Sequence, residues 1–119
     1  IFEFANKKGN YFYGSTLHHS GPLIGANIPY ANDSYFNSFH KYTIEWNLST
    51  IEWYVDDVLI QTVVRTSSNV LDNNWPFDSE FHLILNTAVG GTLGGPPNLA
   101  NQSHFMLVDY VRVYQKISN

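Results

Sequence analysis

Chemistry in a chain without cysteine must come from carboxylates, imidazoles, amides and hydroxyls, because thiol nucleophiles, thiolate ligands and disulfides are all excluded. The imidazoles do not assemble into a metal site on paper. His40, His82 and His104 have no mutual ligand spacing, and His18 and His19 point to opposite faces of any strand. Gly90-Gly91 and Gly94-Gly95 could cradle a phosphate, but no Lys-Ser/Thr pair is present and no helix pattern follows, so they read as a loop. The amides and carboxylates say more. Asn86, with His82, interrupts one face of the otherwise apolar run from Phe81 to Val89, as in a strand whose second face meets something wet. An amide there can both donate to and accept from a hydroxyl. Asp109 shares a face with Leu107, Val111 and Val113, where an unpaired carboxylate is costly, so it calls for a partner. Glu3, judged by itself, is an exposed strand carboxylate.

The elements that must position these groups are strands. Apolar residues recur with period two along the chain and no helical period emerges, which predicts an all-β fold. Tyr42, Ile44 and Trp46 alternate with Lys41, Thr43 and Glu45 in a strand from His40 to Trp46. Asn47 to Thr50 reads as a turn, Ile51 to Val55 as the second strand of a hairpin, Asp56-Asp57 as a turn, and Val58 to Val64 as a third strand. Tyr11 to His18, Phe81 to Val89 and Phe105 to Gln115 are further expected strands. The Gly-, Pro- and Asn-rich stretch out to Asn37 reads as a connection, and Gly90 to Asn98 as a loop. Trp46 and Trp53 belong to the core by their alternation, whereas Trp75, before Pro76 at a strand entrance, could close the core or one end of a cleft.

Composition places the 119 residues in the globular class as one domain, with 44% hydrophobic, 16% aromatic and 13% charged residues. Six Lys and Arg against ten Asp and Glu give a net charge of −4, and the basic residues are scattered. That argues against nucleic acid and an anionic membrane surface as partners. No apolar run approaches the roughly 20 residues of a spanning helix. Asn32, Asn47 and Asn101 each open an Asn-X-Ser sequon in polar sequence, where a secreted protein would carry glycans. The chain opens on Ile1-Phe2, without Met and already strand-like, so upstream sequence is expected.

Three segments form a familiar set: FHKYTIEW followed by IEWYVDD, then WPFDSEFHLILNTAVGG, then MLVDYVRVYQ. In order and spacing they resemble the family-16 glycoside hydrolases, and within them the laminarinase-like endo-β-1,3-glucanases. The resemblance implies an antiparallel β-sandwich of jelly-roll type, of which residues 1–119 would be the carboxy-terminal part of a single domain, roughly half of it. It implies retaining, endo-acting hydrolysis of a β-1,3-linked glucan lying on the concave sheet. The family's Glu-X-Asp-X-X-Glu pattern aligns its last positions with Ile1-Phe2-Glu3, making Glu3 the general acid/base and leaving the nucleophile upstream. Retention requires two carboxyl groups about 5–5.5 Å apart across the scissile bond, which neighbours on one strand face can satisfy.

The same resemblance implies sugar contacts at Thr16, His18, Trp75 and Asn86, and a structural calcium at Asp109 whose other ligands would come from the absent half. No cofactor is required for the chemistry. The expected partners are a β-glucan polysaccharide and an amino-terminal fragment of the same precursor, and the expected location is extracellular or in a cell wall. Two alternatives share the architecture: a non-catalytic β-glucan-recognition protein, and a cell-wall transglycosylase in which a sugar hydroxyl replaces water.

Overall fold

The structure is a computed structural model and describes residues 2–7, 10–18, 24–30, 38–65, 75–97 and 105–117. Six strands pair into two antiparallel sheets of three. The first joins β1 (Phe2–Lys7), β2 (Asn10–Leu17) and β3 (Ile24–Tyr30) in that order, and the second joins β4 (Tyr42–Trp46), β5 (Thr50–Val55) and β6 (Val58–Val64).

The second sheet is the meander that period-two alternation predicts. Trp46 pairs with Ile51, Ile44 with Trp53 and Tyr42 with Val55, so these apolar side chains share one face while Thr43, Glu45, Glu52 and Tyr54 share the other. Its turns follow from side-chain chemistry. Asn47 Oδ1 accepts from the Ser49 and Thr50 backbone N–H groups, both at 2.9 Å, and fixes the first turn. The second is the two-residue turn Asp56-Asp57, with φ of 49° and 66°. Both residues in the left-handed region match the right-handed twist of the hairpin. Asp56 then reaches across the sheet: its Oδ2 lies 2.6 Å from His40 Nδ1, its Oδ1 accepts from Lys41 N–H at 3.0 Å, and its own N–H donates to Lys41 O at 2.9 Å. The His40 hydrogen bond, then that from the Lys41 backbone, hold the Asp56 carboxyl below its ordinary value.

On the solvent face Glu45 and Glu52 stand directly opposite each other, an unfavourable pairing of like charges. Glu52 is compensated by the Tyr54 phenol, which donates to its Oε2 at 2.8 Å, and by the Thr62 hydroxyl at 3.4 Å. The bond to Glu52 favours the neutral phenol and pushes Tyr54 up to about 12.

The core lies between the sheets. Leu17, Ile51, Trp53, Val63 and Trp75 form one buried cluster, with Phe2, Ile60 and Phe77 packed against it. Phe2 and Phe4 meet the Tyr42 ring edge-on at 5.3 and 5.5 Å. Within this apolar layer Ser15 is completely buried, and its hydroxyl donates to Oε1 of Gln61 on β6. The indole N–H groups of Trp53 and Trp75 have no acceptor among the described residues.

Several expectations change, and Trp46, read as a core residue, is 55% exposed. The stretch read as a connection contains β3, and the Gly-rich loop contains a single helical turn, α1 (Gly91–Gly94), beside β1. Phe81 to Val89 and Phe105 to Gln115, expected as strands, join no sheet among the described residues, and both are exposed throughout. A strand pattern supplies half of a ladder, and these two segments have apolar side chains but no paired neighbour.

Two outcomes follow from this packing. Gln61→Leu should cost about 1–3 kcal/mol in chemical denaturation of the full-length protein, because it strands the buried Ser15 hydroxyl; the double variant with Ser15→Ala should be less destabilised than Gln61→Leu alone. Because Asp56 has a depressed carboxyl, its contribution is present above the ordinary value of 3.8 and lost as pH falls through the folded-state value. Half-exposed as it is, it should contribute no more than about 1 kcal/mol, and Asp56→Asn should flatten the acid limb of a stability-versus-pH curve.

Candidate functional site

Strand alternation sorts β1 and β2 into two faces. Phe2 and Phe4 turn to the core, as do Ser15 and Leu17, while Glu3, Gly14 and Thr16 turn to the opposite face. Pairing along Phe2–Lys7 is regular, with Glu3 opposite Gly14 and Phe2 opposite Ser15. Thr16 is therefore the diagonal neighbour of Glu3, and its Oγ1 donates to Glu3 Oε2 at 3.0 Å.

Glycine shapes the surroundings of this pair. Gly14 faces Glu3 across the ladder, and Gly25 of β3 faces Thr16. A Cβ on Gly25 would come within 3.0 Å of the Ser15 carbonyl and 3.3 Å of Thr16 Oγ1, so the close approach of the two strands requires glycine there. The result is a half-buried carboxylate and hydroxyl beside a floor without projecting side chains at Gly14 and Gly25. Of the two glycines, Gly14 is buried beside Glu3 and Thr16, and Gly25 is exposed.

The other expected site residues are distributed differently. His18 follows the last residue of β2 and is exposed. Asn86 is exposed in the unpaired segment 81–89, and no hydrogen bond joins it to Glu3. Trp75 is corrected: it is only 5% exposed, sits in the core cluster, and meets Phe77 edge-on at 5.1 Å. A ring enclosed by Leu17, Ile51, Trp53 and Val63 has no face to offer a sugar.

Asp109 is exposed, and no group of three or more His, Asp or Glu among the described residues could hold a metal ion. Calcium takes six to eight oxygen ligands, so the residues described around Asp109 do not fit such a site. Asn47 is exposed in its turn, whereas Asn32 and Asn101 lie outside the described residues. The resemblance offers Thr16 as a sugar contact, and the structure pairs its hydroxyl with Glu3. That pairing depends on the β1–β2 register, which alternation within each strand does not give.

Comparison with known proteins gives a consistent result. Residues 2–112 match glycosyl hydrolases family 16. A beta-glucanase of Rhodothermus marinus is 43% identical over 82 residues, covering 65% of this chain and 29% of that protein. Glucan endo-1,3-beta-glucosidase A1 of Niallia circulans is 39% identical over 89 residues, covering 70% and 13%. A beta-1,3-glucan-binding protein of Penaeus monodon is 37% identical over 113 residues, covering 76% and 31%. The chain thus spans less than a third of the length of each of these relatives. No solved structure matches it significantly.

If Gly25 is required for the approach of β3 to Thr16, Gly25→Ala should destabilise the full-length protein by about 1–3 kcal/mol. Thermal unfolding measures the loss, and an unchanged melting temperature would refute the tight fit.

Proposed function

Since the chain belongs to family 16 of the glycosyl hydrolases, we propose that the whole protein cleaves internal β-1,3 bonds of a glucan with retention of configuration, using Glu3 as general acid/base. The observation that carries this reading is the placement of Glu3. The resemblance aligns it with the last carboxylate of the family's motif, it lies on the face of β1 opposite the core, and its carboxyl group is half-buried and held by the Thr16 hydroxyl.

In the first half of the reaction Glu3 gives its proton to the glycosidic oxygen as the bond to the anomeric carbon breaks. A carboxylate nucleophile, five residues before Glu3 in the family pattern, takes that carbon. In the second half Glu3 withdraws a proton from water, which displaces the nucleophile. His18 and Asn86 are the remaining candidates for sugar hydroxyls in this reading. The exposed apolar segments 81–89 and 105–117 support an amino-terminal portion of the same precursor as the strand partner. An extracellular location belongs to the same reading, supported by the sequon at exposed Asn47.

A second reading, β-glucan binding without hydrolysis, is favoured by the likeness to the glucan-binding protein of Penaeus monodon. One variant separates the two. In the full-length protein Glu3→Gln should lower kcat on laminarin by about 10²–10⁴-fold, the usual contribution of a positioned general acid or base, while laminarin binding by calorimetry persists. An unaffected laminarin rate would sink the assignment of Glu3, and binding without turnover in the unaltered protein would establish the second reading. Transfer products in place of free reducing sugar would identify a transglycosylase.

A further inference from the structure

We propose that Thr16 is a positioning residue for Glu3, not a sugar contact: its hydroxyl engages Oε2 and thereby assigns the acid's proton to Oε1. This inference rests on reading Glu3 as the acid/base. The Thr16 hydroxyl donates to Oε2 at 3.0 Å. A protonated carboxyl group has one oxygen that carries hydrogen and one that only accepts. The oxygen already accepting an O–H bond is the poorer place for the proton, so the neutral group carries hydrogen on Oε1, the oxygen without that bond.

The hydroxyl is well placed to hold this geometry. Thr is β-branched and stiff at χ1. Gly25 stands across from Thr16, so close that a methyl group there would press on Oγ1 at 3.3 Å. On the opposite face the preceding residue, Ser15, is bonded to Gln61 of the other sheet, which anchors β2 directly behind the pair. Thr16 therefore acts from a fixed backbone on a carboxyl group that belongs to a different strand.

The assignment specifies the proton's path. In the first step the Oε1–H bond breaks and the proton passes to the glycosidic oxygen. That oxygen keeps the electron pair of its broken bond to the anomeric carbon, while a carboxylate nucleophile bonds the carbon. In the second step Oε1 takes a proton from water, the water oxygen bonds the anomeric carbon, and the nucleophile leaves as carboxylate. Thr16 stays on Oε2 in both steps and transfers nothing.

The test uses the full-length protein and two substrates differing in their need for an acid: laminarin, whose leaving group is a sugar alkoxide, and a 2,4-dinitrophenyl laminaribioside, whose phenolate leaves unassisted. Thr16→Val, nearly isosteric, should lower kcat/KM on laminarin by on the order of 10²-fold, as misplacement of a reacting group does, and leave the dinitrophenyl substrate within about twofold. Thr16→Ser, which keeps the donor, should restore laminarin hydrolysis. An equal fall on both substrates, carried by KM, would make Thr16 a sugar contact and overturn the proposal, as would an unchanged Thr16→Val enzyme. Glu3→Ala must show the same split between substrates. If it does not, the reading of Glu3 itself fails; if it does and Thr16→Val does not, only the role of Thr16 fails. Thermal unfolding checks each variant, and Thr16→Ala provides the same comparison should the valine variant not fold.

Discussion

The hydrogen bond between Ser15 and Gln61, within the apolar cluster that joins the two sheets, sets which face of β2 meets the second sheet. Ser15 is fully buried in an otherwise apolar layer, where a hydroxyl without a partner costs about 1–3 kcal/mol. Gln61, opposite Trp53 across the β5–β6 ladder, supplies that partner, so β2 has a preferred position on the second sheet. Side chains on a strand alternate, and a shift by one residue reverses both faces. Such a shift would bring Thr16 and Gly14 into the core and turn Ser15 and Leu17 outwards. The bond that satisfies Ser15 thus also holds Thr16 on the outer face, beside Glu3. Packing and chemistry share a single register.

The second sheet is the firmer of the two supports for that register. Trp53 is almost wholly enclosed and sits at its centre, with Ile51 and Val55 on either side along the same strand. Both of its turns are fixed locally, one by the Asn47 amide and the other by Asp56-Asp57 with the cross-sheet contacts to His40 and Lys41. This sheet also carries costs. Glu45 faces Glu52, two Asp residues occupy left-handed conformations, and two indole N–H groups are buried without acceptors among the described residues. Burial of the aromatic cluster outweighs these penalties, since a Trp or Phe removed from a core typically costs about 3–5 kcal/mol.

Local pattern made the meander legible because each of its determinants is local. Alternation gives the strands β4 to β6, and Asn and Asp give the turns between them. β3 was not legible, because Gly25, Asn27 and Pro29 read as loop residues. The sheet accepts them because β3 is an edge strand among the described residues, where a missing donor is tolerated, and because Gly25 allows its close approach to Thr16. The segments 81–89 and 105–115 erred in the other direction: a strand pattern does not name its partner. Trp75 was ambiguous for a similar reason. An aromatic residue at a strand entrance can pack inward or outward, and the choice belongs to Leu17, Ile51 and Val63, which are distant in sequence. At the site, alternation grouped Thr16 with His18 on one side of their strand, but the meeting of Thr16 with Glu3, 13 residues away, came from the β1–β2 register.

The place of Glu3 in its sheet explains why such a bond matters. β1 is an edge strand among the described residues, so Glu3 has a hydrogen-bonded neighbour on one side only, and directly across from it stands Gly14, which has no side chain to confine a carboxyl group. The absence of a side chain at Gly14 leaves the carboxyl group of Glu3 without a side-chain wall directly across the ladder. A general acid must be held close to one orientation, since a displacement of about 1 Å can cost on the order of 10²-fold in rate. The diagonal neighbour supplies that hold: the Thr16 hydroxyl reaches the carboxyl group of Glu3 from the adjacent strand and orients it.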